Sequence, residues 1–215
     1  MQRSNNIRWD LYLVTDRELY GNRPIPELVK AAVKGGVTVI QLREKGLSSR
    51  EFLTEALEVK KVLENTNIPL IINDRIDIAL AADADGVHLG NNDMPAEYAK
   101  EILPSGKIIG LSAESVEDAI AADRNGADYI GVSPIYTTPT KPELETGLGL
   151  QGLRQIRMVT RLPLVAIGGL NRTNAAEVIK NGADGIAVVS AICAAPDPEQ
   201  AAKELANMIY QAKAE

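Results

Sequence analysis

The chain has 215 residues, 45% of them hydrophobic and only 4% aromatic, enough for one sizeable core built on Val, Ile, Leu and Ala rather than on rings. A formal net charge of -6 without a clustered basic run excludes a surface made for nucleic acid, so an anionic ligand must be met by a few placed cations, backbone N–H groups or a metal. The lone Cys193 permits no internal disulfide, the polar start lacks the apolar stretch of a secretory signal, and the longest apolar run, near 185–195, is too short for a bilayer; a cytoplasmic protein with no membrane partner is expected.

Along the chain, short β-branched runs alternate with segments of helical spacing. Strands are predicted at 12–15, 38–42, 70–73, 86–89, 108–111, 129–132, 164–167 and 186–189. After the first strand, Ile25, Leu28, Val29, Ala32 and Val33 form an apolar helical stripe; Phe52, Ala56, Val59 and Leu63 form one after the second. Ala175, Val178 and Ile179 mark a third, and Ala202, Leu205, Ala206 and Ile209 a fourth. Glycines at Gly35-Gly36, Gly126 and Gly182 sit where helices should end. Gly-Ala-Asp recurs at 126–128 and 182–184, both at predicted helix-to-strand turns. Eight βα units over 215 residues predict an α/β fold, a single (β/α)8 TIM barrel domain spanning 1–215. An open doubly wound sheet would have about five or six strands.

In such barrels the active site lies at the carboxyl ends of the strands, so the residues just beyond each strand are the candidates. After the second strand, alternation places Gln41, Arg43 and Lys45 on the side opposite Leu42. If Leu42 faces the helices, two cations and an amide point into the mouth, a set suited to phosphate or diphosphate. The competing reading is a rim of salt bridges through Glu44. Asn73 and Asp74 follow the third strand and Asp93 follows the fourth. Each Asp alone could be an ordinary helix cap. Paired at neighbouring strand ends beside cations, they suit Mg²⁺. Ser112 follows the fifth strand and points at the mouth, and Ser115 is predicted to cap the next helix.

A long loop follows the sixth strand, from Ser133 to Gly149, and carries Thr138, Thr140 and Lys141; long loops on this face are usually functional and this one is the candidate lid. Gly168-Gly169 after the seventh strand and Val189-Ser190 at the eighth stand where barrels often bind phosphate. Two anion regions follow: one at Arg43, Lys45 and the Asp pair, the other at Thr138, Thr140, Gly169 and Ser190, with Lys141 between them. His88, the one histidine, lies inside a strand and is read as a core or supporting group, and Cys193 as packing.

These motifs, in order, resemble thiamine phosphate synthase: Gln41-Leu42-Arg43-Glu44-Lys45, Asn73-Asp74, Gly86-Val87-His88-Leu89-Gly90, Thr138-Pro139-Thr140-Lys141, Ile167-Gly168-Gly169 and Val189-Ser190. The resemblance runs from about Tyr12 to Ile192. It implies that Gln41, Arg43, Lys45, Asn73, Ser112 and Lys141 bind a hydroxymethylpyrimidine diphosphate, and that Asp74 and Asp93 hold Mg²⁺ against it. It implies that Thr138 and Thr140, with the backbone at Gly169, Val189 and Ser190, bind a thiazole phosphate, with or without a carboxylate. The implied reaction is a dissociative substitution that releases pyrophosphate, with Arg43, Lys45, Lys141 and Ser112 as catalytic groups. Asn91 stands where the family often has Gln, and Glu114 where it often has His or another polar group, which touches the details of pyrimidine contact. A thiazole tautomerase on the same fold is the nearest rival; it would lack the full cation and metal set. Barrels of this kind often pair, so a homodimer is an open expectation.

Overall fold

A computed structural model describes residues 7–21, 23–137 and 147–214. Eight parallel strands close into a barrel in sequence order, with β1 (Leu11–Val14) hydrogen-bonded to both β2 (Val39–Leu42) and β8 (Gly185–Val188). Between these lie β3 (Leu70–Asn73), β4 (Gly86–Leu89), β5 (Ile108–Ala113), β6 (Tyr129–Val132) and β7 (Leu164–Ile167). The helices on the outside are α1 (Ile25–Lys34), α2 (Ser49–Leu63), α3 (Ile76–Ala81), α4 (Ala96–Ile102), α5 (Val116–Arg124), α6 (Gly149–Val159), α7 (Ala175–Lys180), the short α8 (Ser190–Cys193) and the terminal α9 (Pro198–Ala214). The (β/α)8 barrel expected from the repeat is the fold. Four strands fall on their predicted bounds, and β5 runs two residues further, so that Ser112 and Ala113 still belong to its ladder with β6.

Alternation sorts the side chains. Leu13, Ile40, Leu42, Ile72, Val87, Leu89, Ile109, Ile130, Val132, Leu164, Ala166, Ile186 and Val188 face outward into a shell shared with the apolar stripes of the helices. Leu42 is among them, so Gln41 faces inward, as its strand pattern demanded. The interior is a second, separate cluster of Trp9, Tyr12, Val14, Val39, Ile71, Ile108, Tyr129, Val165 and Ala187. Trp9 closes the amino-terminal end, its ring centroid 4.4 Å from that of Tyr129. Gly110 and Gly131 are small for a reason: a Cβ on Gly110 would lie 2.1 Å from the Tyr129 ring, and one on Gly131 would lie 2.8 Å from the His88 ring. The strands thus leave room on the barrel axis for two polar rings.

Local signals start the helices where the site needs them. Ser48 and Glu51 form a capping box at α2, placing that helix just beyond Lys45, a motif worth about 1 kcal/mol. Ser115 caps α5 by accepting from the N–H of Asp118, as its position predicted. Among the described residues no helix is long and apolar enough to cross a membrane.

Candidate active site

The mouth of the barrel is floored by a line of hydrogen bonds across the interior. The Gln41 side-chain amide donates to the Tyr12 hydroxyl at 2.8 Å. Tyr12 and Tyr129 hydroxyls lie 2.7 Å apart, Tyr129 lies 2.9 Å from His88 Nδ1, and His88 Nε2 lies 3.1 Å from Ser112 Oγ. Both tyrosines are only 1% exposed, so a missing partner would cost each hydroxyl about 1–3 kcal/mol. Burial pushes both phenols well above their ordinary range, so they act as neutral hydroxyls. Gln41 donates to Tyr12; with the His88 proton on Nε2 the line runs from Tyr129 to Nδ1 and from Nε2 to Ser112, and the other tautomer reverses both contacts. His88, read from sequence as a supporting group, is placed as one.

On one side of this floor stand the acids. The chain turns at Asp74 with φ of 61°, a left-handed conformation that Asp tolerates better than most residues. The Asp74 N–H is tied to the His88 carbonyl at 2.9 Å. Asp93 folds its carboxylate back onto the N–H of Gly90 at 2.7 Å. Neither is the N-cap of a helix: α3 is preceded by Arg75 and α4 by Pro95. The two carboxyl groups come within hydrogen-bonding reach of each other, and burial, together with the Asp74 carboxylate, holds the Asp93 carboxyl above its ordinary value against the lowering effect of the Gly90 N–H. Two hard oxygen donors pressed together in this way fit a divalent cation. Among the described residues no third Asp, Glu, His or Cys completes a cluster with them.

The cations stand beside the acids. Lys45 reaches from the β2–α2 loop to Asp74, and Arg43 lies 3.6 Å from Asp16 at the end of β1. Arg43 is anchored through its backbone, whose N–H donates to Thr15 Oγ1 at 3.0 Å. Both cations retain solvent access. Glu44, between them, turns the opposite way, with its side chain 4% exposed against Arg17. The salt-bridge cluster through Glu44 considered from sequence is therefore present with Arg17, and Arg43 and Lys45 pair separately, with Asp16 and Asp74. Asn73 ends β3 opposite His88 in the ladder.

The far side of the mouth is built from loops. Ile135 N–H donates to the Ile167 carbonyl and Tyr136 N–H to the Gly168 carbonyl, at 2.9 and 3.1 Å. Gly168 and Gly169 have φ of 109° and 64°; side chains there would be strained and would press on Pro134 and Thr137. At the other end of the long loop, Leu148 and Gly149 donate to the carbonyls of Pro134 and Ile135. Both stems of that loop thus converge on the turn carrying Gly169. Val189 lies just past β8 and Ser190 opens α8. Thr138, Thr140 and Lys141 lie outside the described residues. Cys193 is fully buried and burial pushes its thiol up to about 12, so it packs and does not react.

Sequence reasoning missed the tyrosines. Tyr12 and Tyr129 both have inward parity, but only the closed barrel, which brings the inward side chains of β1 and β6 together across its interior, shows that they meet.

A family model described as thiamine monophosphate synthase matches residues 11–192. The chain is 54% identical over 199 residues to a thiamine-phosphate synthase of Albidiferax ferrireducens, covering 93% of this chain and 91% of the relative. It is 49% identical over 203 residues to one of Clostridium novyi, covering 94% and 100%. Among solved structures, a thiamine phosphate pyrophosphorylase from Pyrococcus furiosus superposes with a TM-score of 0.89 at 42% identity, covering 96% of this chain and 98% of that one. A 3-hexulose-6-phosphate synthase, with a TM-score of 0.72 at 22% identity, shares the fold.

Proposed function

The chain belongs to the thiamine monophosphate synthase family and is a transferase that forms thiamine phosphate, and we propose that it does so by transferring a hydroxymethylpyrimidine group from its diphosphate to the ring nitrogen of a hydroxyethylthiazole phosphate. The observation that carries this reading is the juxtaposition of Asp74 and Asp93 with Lys45 and Arg43 at one edge of the mouth. A pair of cations beside a pair of acids suits a diphosphate that arrives with Mg²⁺.

In this reading Asp74 and Asp93 hold the magnesium. When bound, it neutralises charge that grows on the leaving diphosphate. Arg43 and Lys45, joined by Lys141, stabilise the same charge by direct hydrogen bonds. The bond between the methylene carbon and the diphosphate oxygen breaks, its electron pair going to the diphosphate. The aminopyrimidine shares the positive charge left on the carbon until the thiazole nitrogen donates its lone pair to form the new C–N bond. Asn73, Gln41 and Ser112 fix the pyrimidine ring. Thr138, Thr140 and the backbone at Gly169, Val189 and Ser190 hold the thiazole phosphate opposite, which supplies the proximity such a reaction needs. No general base is called for. The lone buried Cys193 fits a reducing, cytoplasmic setting. The test is product formation: mixing both substrates with Mg²⁺ yields thiamine phosphate and one pyrophosphate per turnover, and either substrate alone yields none. Pyrophosphate released from the pyrimidine diphosphate alone at the same rate would mark a hydrolase instead.

The hydrogen-bonded floor makes its own prediction. Ser112→Ala lowers kcat/KM by about a hundredfold, the loss of one hydrogen bond to a charged or charge-developing group. Tyr129→Phe keeps the ring but cuts the line between Tyr12 and His88, and is expected to lower kcat/KM by about tenfold with the protein still folded. Steady-state rates for the two variants check this, and a Tyr129→Phe enzyme as fast as wild type would show that Ser112 needs no orientation from below.

A further inference from the structure

Behind the loop that carries Arg43 and Lys45 lies a buried cluster with no part in the chemistry above. Arg17, beyond β1, points its guanidinium at two acids: Nε lies 3.4 Å from Glu44 Oε2, and Nη2 meets Glu55 Oε1. Glu44 and Glu55 have side chains only 4% and 9% exposed. Glu55 comes from α2, where it falls between Phe52 and Val59 on the face turned to the barrel. The two acids are within hydrogen-bonding reach of each other, and the remaining oxygen of each, Glu44 Oε1 and Glu55 Oε2, receives no donor. Two buried carboxylates facing one guanidinium leave one uncompensated negative charge and two unsatisfied oxygens. A single proton between them removes both faults.

Resting on the assignment of Arg43 and Lys45 to the diphosphate, we propose that Arg17, Glu44 and Glu55 form a one-proton clasp that positions the β2–α2 loop for diphosphate binding. In the closed clasp, Glu44 is drawn inward between α2 and the β1 loop. Because Glu44 lies between Arg43 and Lys45 in the chain, holding it inward fixes the loop backbone from which both cations extend. With the proton in place the cluster is neutral. When the proton leaves, a net negative charge is buried one residue from each diphosphate-binding cation, and the two acids repel. Glu44 and Glu55 are positioning residues; neither touches substrate.

The proton is placed to exchange in the working pH range. Burial, then the hydrogen bond and charge of Glu44, raise the Glu55 carboxyl to about 7, against the lowering effect of Arg17. A surface cavity lined by Arg17, Leu47, Arg50, Glu51, Thr54 and Glu58 adjoins Glu55. Of the helices packed against α2, α1 carries Glu27, Lys30 and Lys34, and α3 carries Asp77, which is paired with Arg75. The sign follows from the raised value. The folded state holds the proton more tightly than the unfolded chain, so the stabilisation is complete below the ordinary glutamate value of 4.5 and is lost as pH rises through about 7. Diphosphate affinity should fall over the upper end of the same window.

The test compares wild type with Glu55→Gln, whose amide donates to Glu44 and accepts from Arg17 as the protonated acid does, at every pH. kcat and KM for the pyrimidine diphosphate are measured from pH 6 to 9 at saturating Mg²⁺ and thiazole phosphate. The ratio of variant to wild-type kcat/KM cancels titration of the substrate itself. It is expected to be near one at pH 6 and to rise about tenfold by pH 8, through KM rather than kcat. Thermal unfolding of wild type should move to lower temperature from pH 6 to 8.5 by more than that of Glu55→Gln. A ratio that stays flat with pH overturns the clasp. Should Glu55→Gln fail to fold, Glu44→Gln removes the same proton from the other side and is read in the same way. Arg43→Ala, run in parallel, separates the two levels. If it raises KM for the diphosphate while the Glu55→Gln ratio is flat, only the clasp is wrong. If it leaves that KM unchanged, the diphosphate assignment fails and the clasp falls with it.

Discussion

Replacing Asp74 or Asp93 by asparagine is expected to lower turnover by about a hundred- to a thousandfold while leaving the protein as stable as before, or more so. The activity loss follows from removing one of two hard anionic donors from a divalent-cation site, whose charge stabilisation is worth several kcal/mol in the transition state. The stability result follows from the same geometry seen without the cation. The two carboxyl groups lie against each other, and burial with the Asp74 charge raises the Asp93 carboxyl. Neutralising either one relieves that repulsion. Asparagine is the informative choice because it tolerates the left-handed backbone at position 74 and, at position 93, still offers an oxygen to the Gly90 N–H. Lys45 would lose its partner Asp74, but it is 59% exposed and such a pair contributes little. Rates of pyrophosphate release and thermal unfolding, measured together on each variant, check this. Wild-type turnover in either variant would remove the metal from Asp74 and Asp93.

Arg43→Ala is expected to raise KM for the pyrimidine diphosphate by about ten- to a hundredfold, the value of one hydrogen bond between charged partners, and to leave KM for the thiazole phosphate within about twofold. The reason is placement. Arg43 sits at the end of β2 with Lys45 and the acids, across the mouth from the turn at Gly168–Gly169. Its backbone N–H, held by Thr15, stays in any variant, so the loop keeps its path. Initial rates with each substrate varied in turn separate the two constants. An effect confined to the thiazole substrate would exchange the two anion sites.

The barrel could be read from the sequence because buried parallel strands leave a strong local mark: short β-branched runs such as Leu70–Asn73 and Leu164–Ile167, bounded by turns and separated by helical stripes. Position at strand ends then brought Gln41, Arg43, Asn73, Asp74, Asp93 and Ser112 into view, because barrel topology alone sends those positions to one face. The strand β5 was read short because Ser112 and Ala113 look like loop residues; pairing with Gly131 and Val132 keeps them in the sheet. The line from Gln41 through Tyr12, Tyr129 and His88 to Ser112 was not read, since its members are up to 117 residues apart and meet only when the barrel closes. Its available signal was the glycines on the inward parity, Gly110 and Gly131, which make space for the rings of Tyr129 and His88 inside the barrel. The clasp at Glu55 also had a signal, an acid at apolar spacing between Phe52 and Val59 on α2, but its partners come from two other segments.

The central claim is that the paired acids and cations at the mouth bring a diphosphate and Mg²⁺ together for transfer to the thiazole. Pyrophosphate release from purified protein, given both substrates and titrated with Mg²⁺ and then with a chelator, tests it most directly. Release that needs both substrates, rises with Mg²⁺ and stops with the chelator is the predicted result. Release that continues undiminished in the chelator would contradict the account.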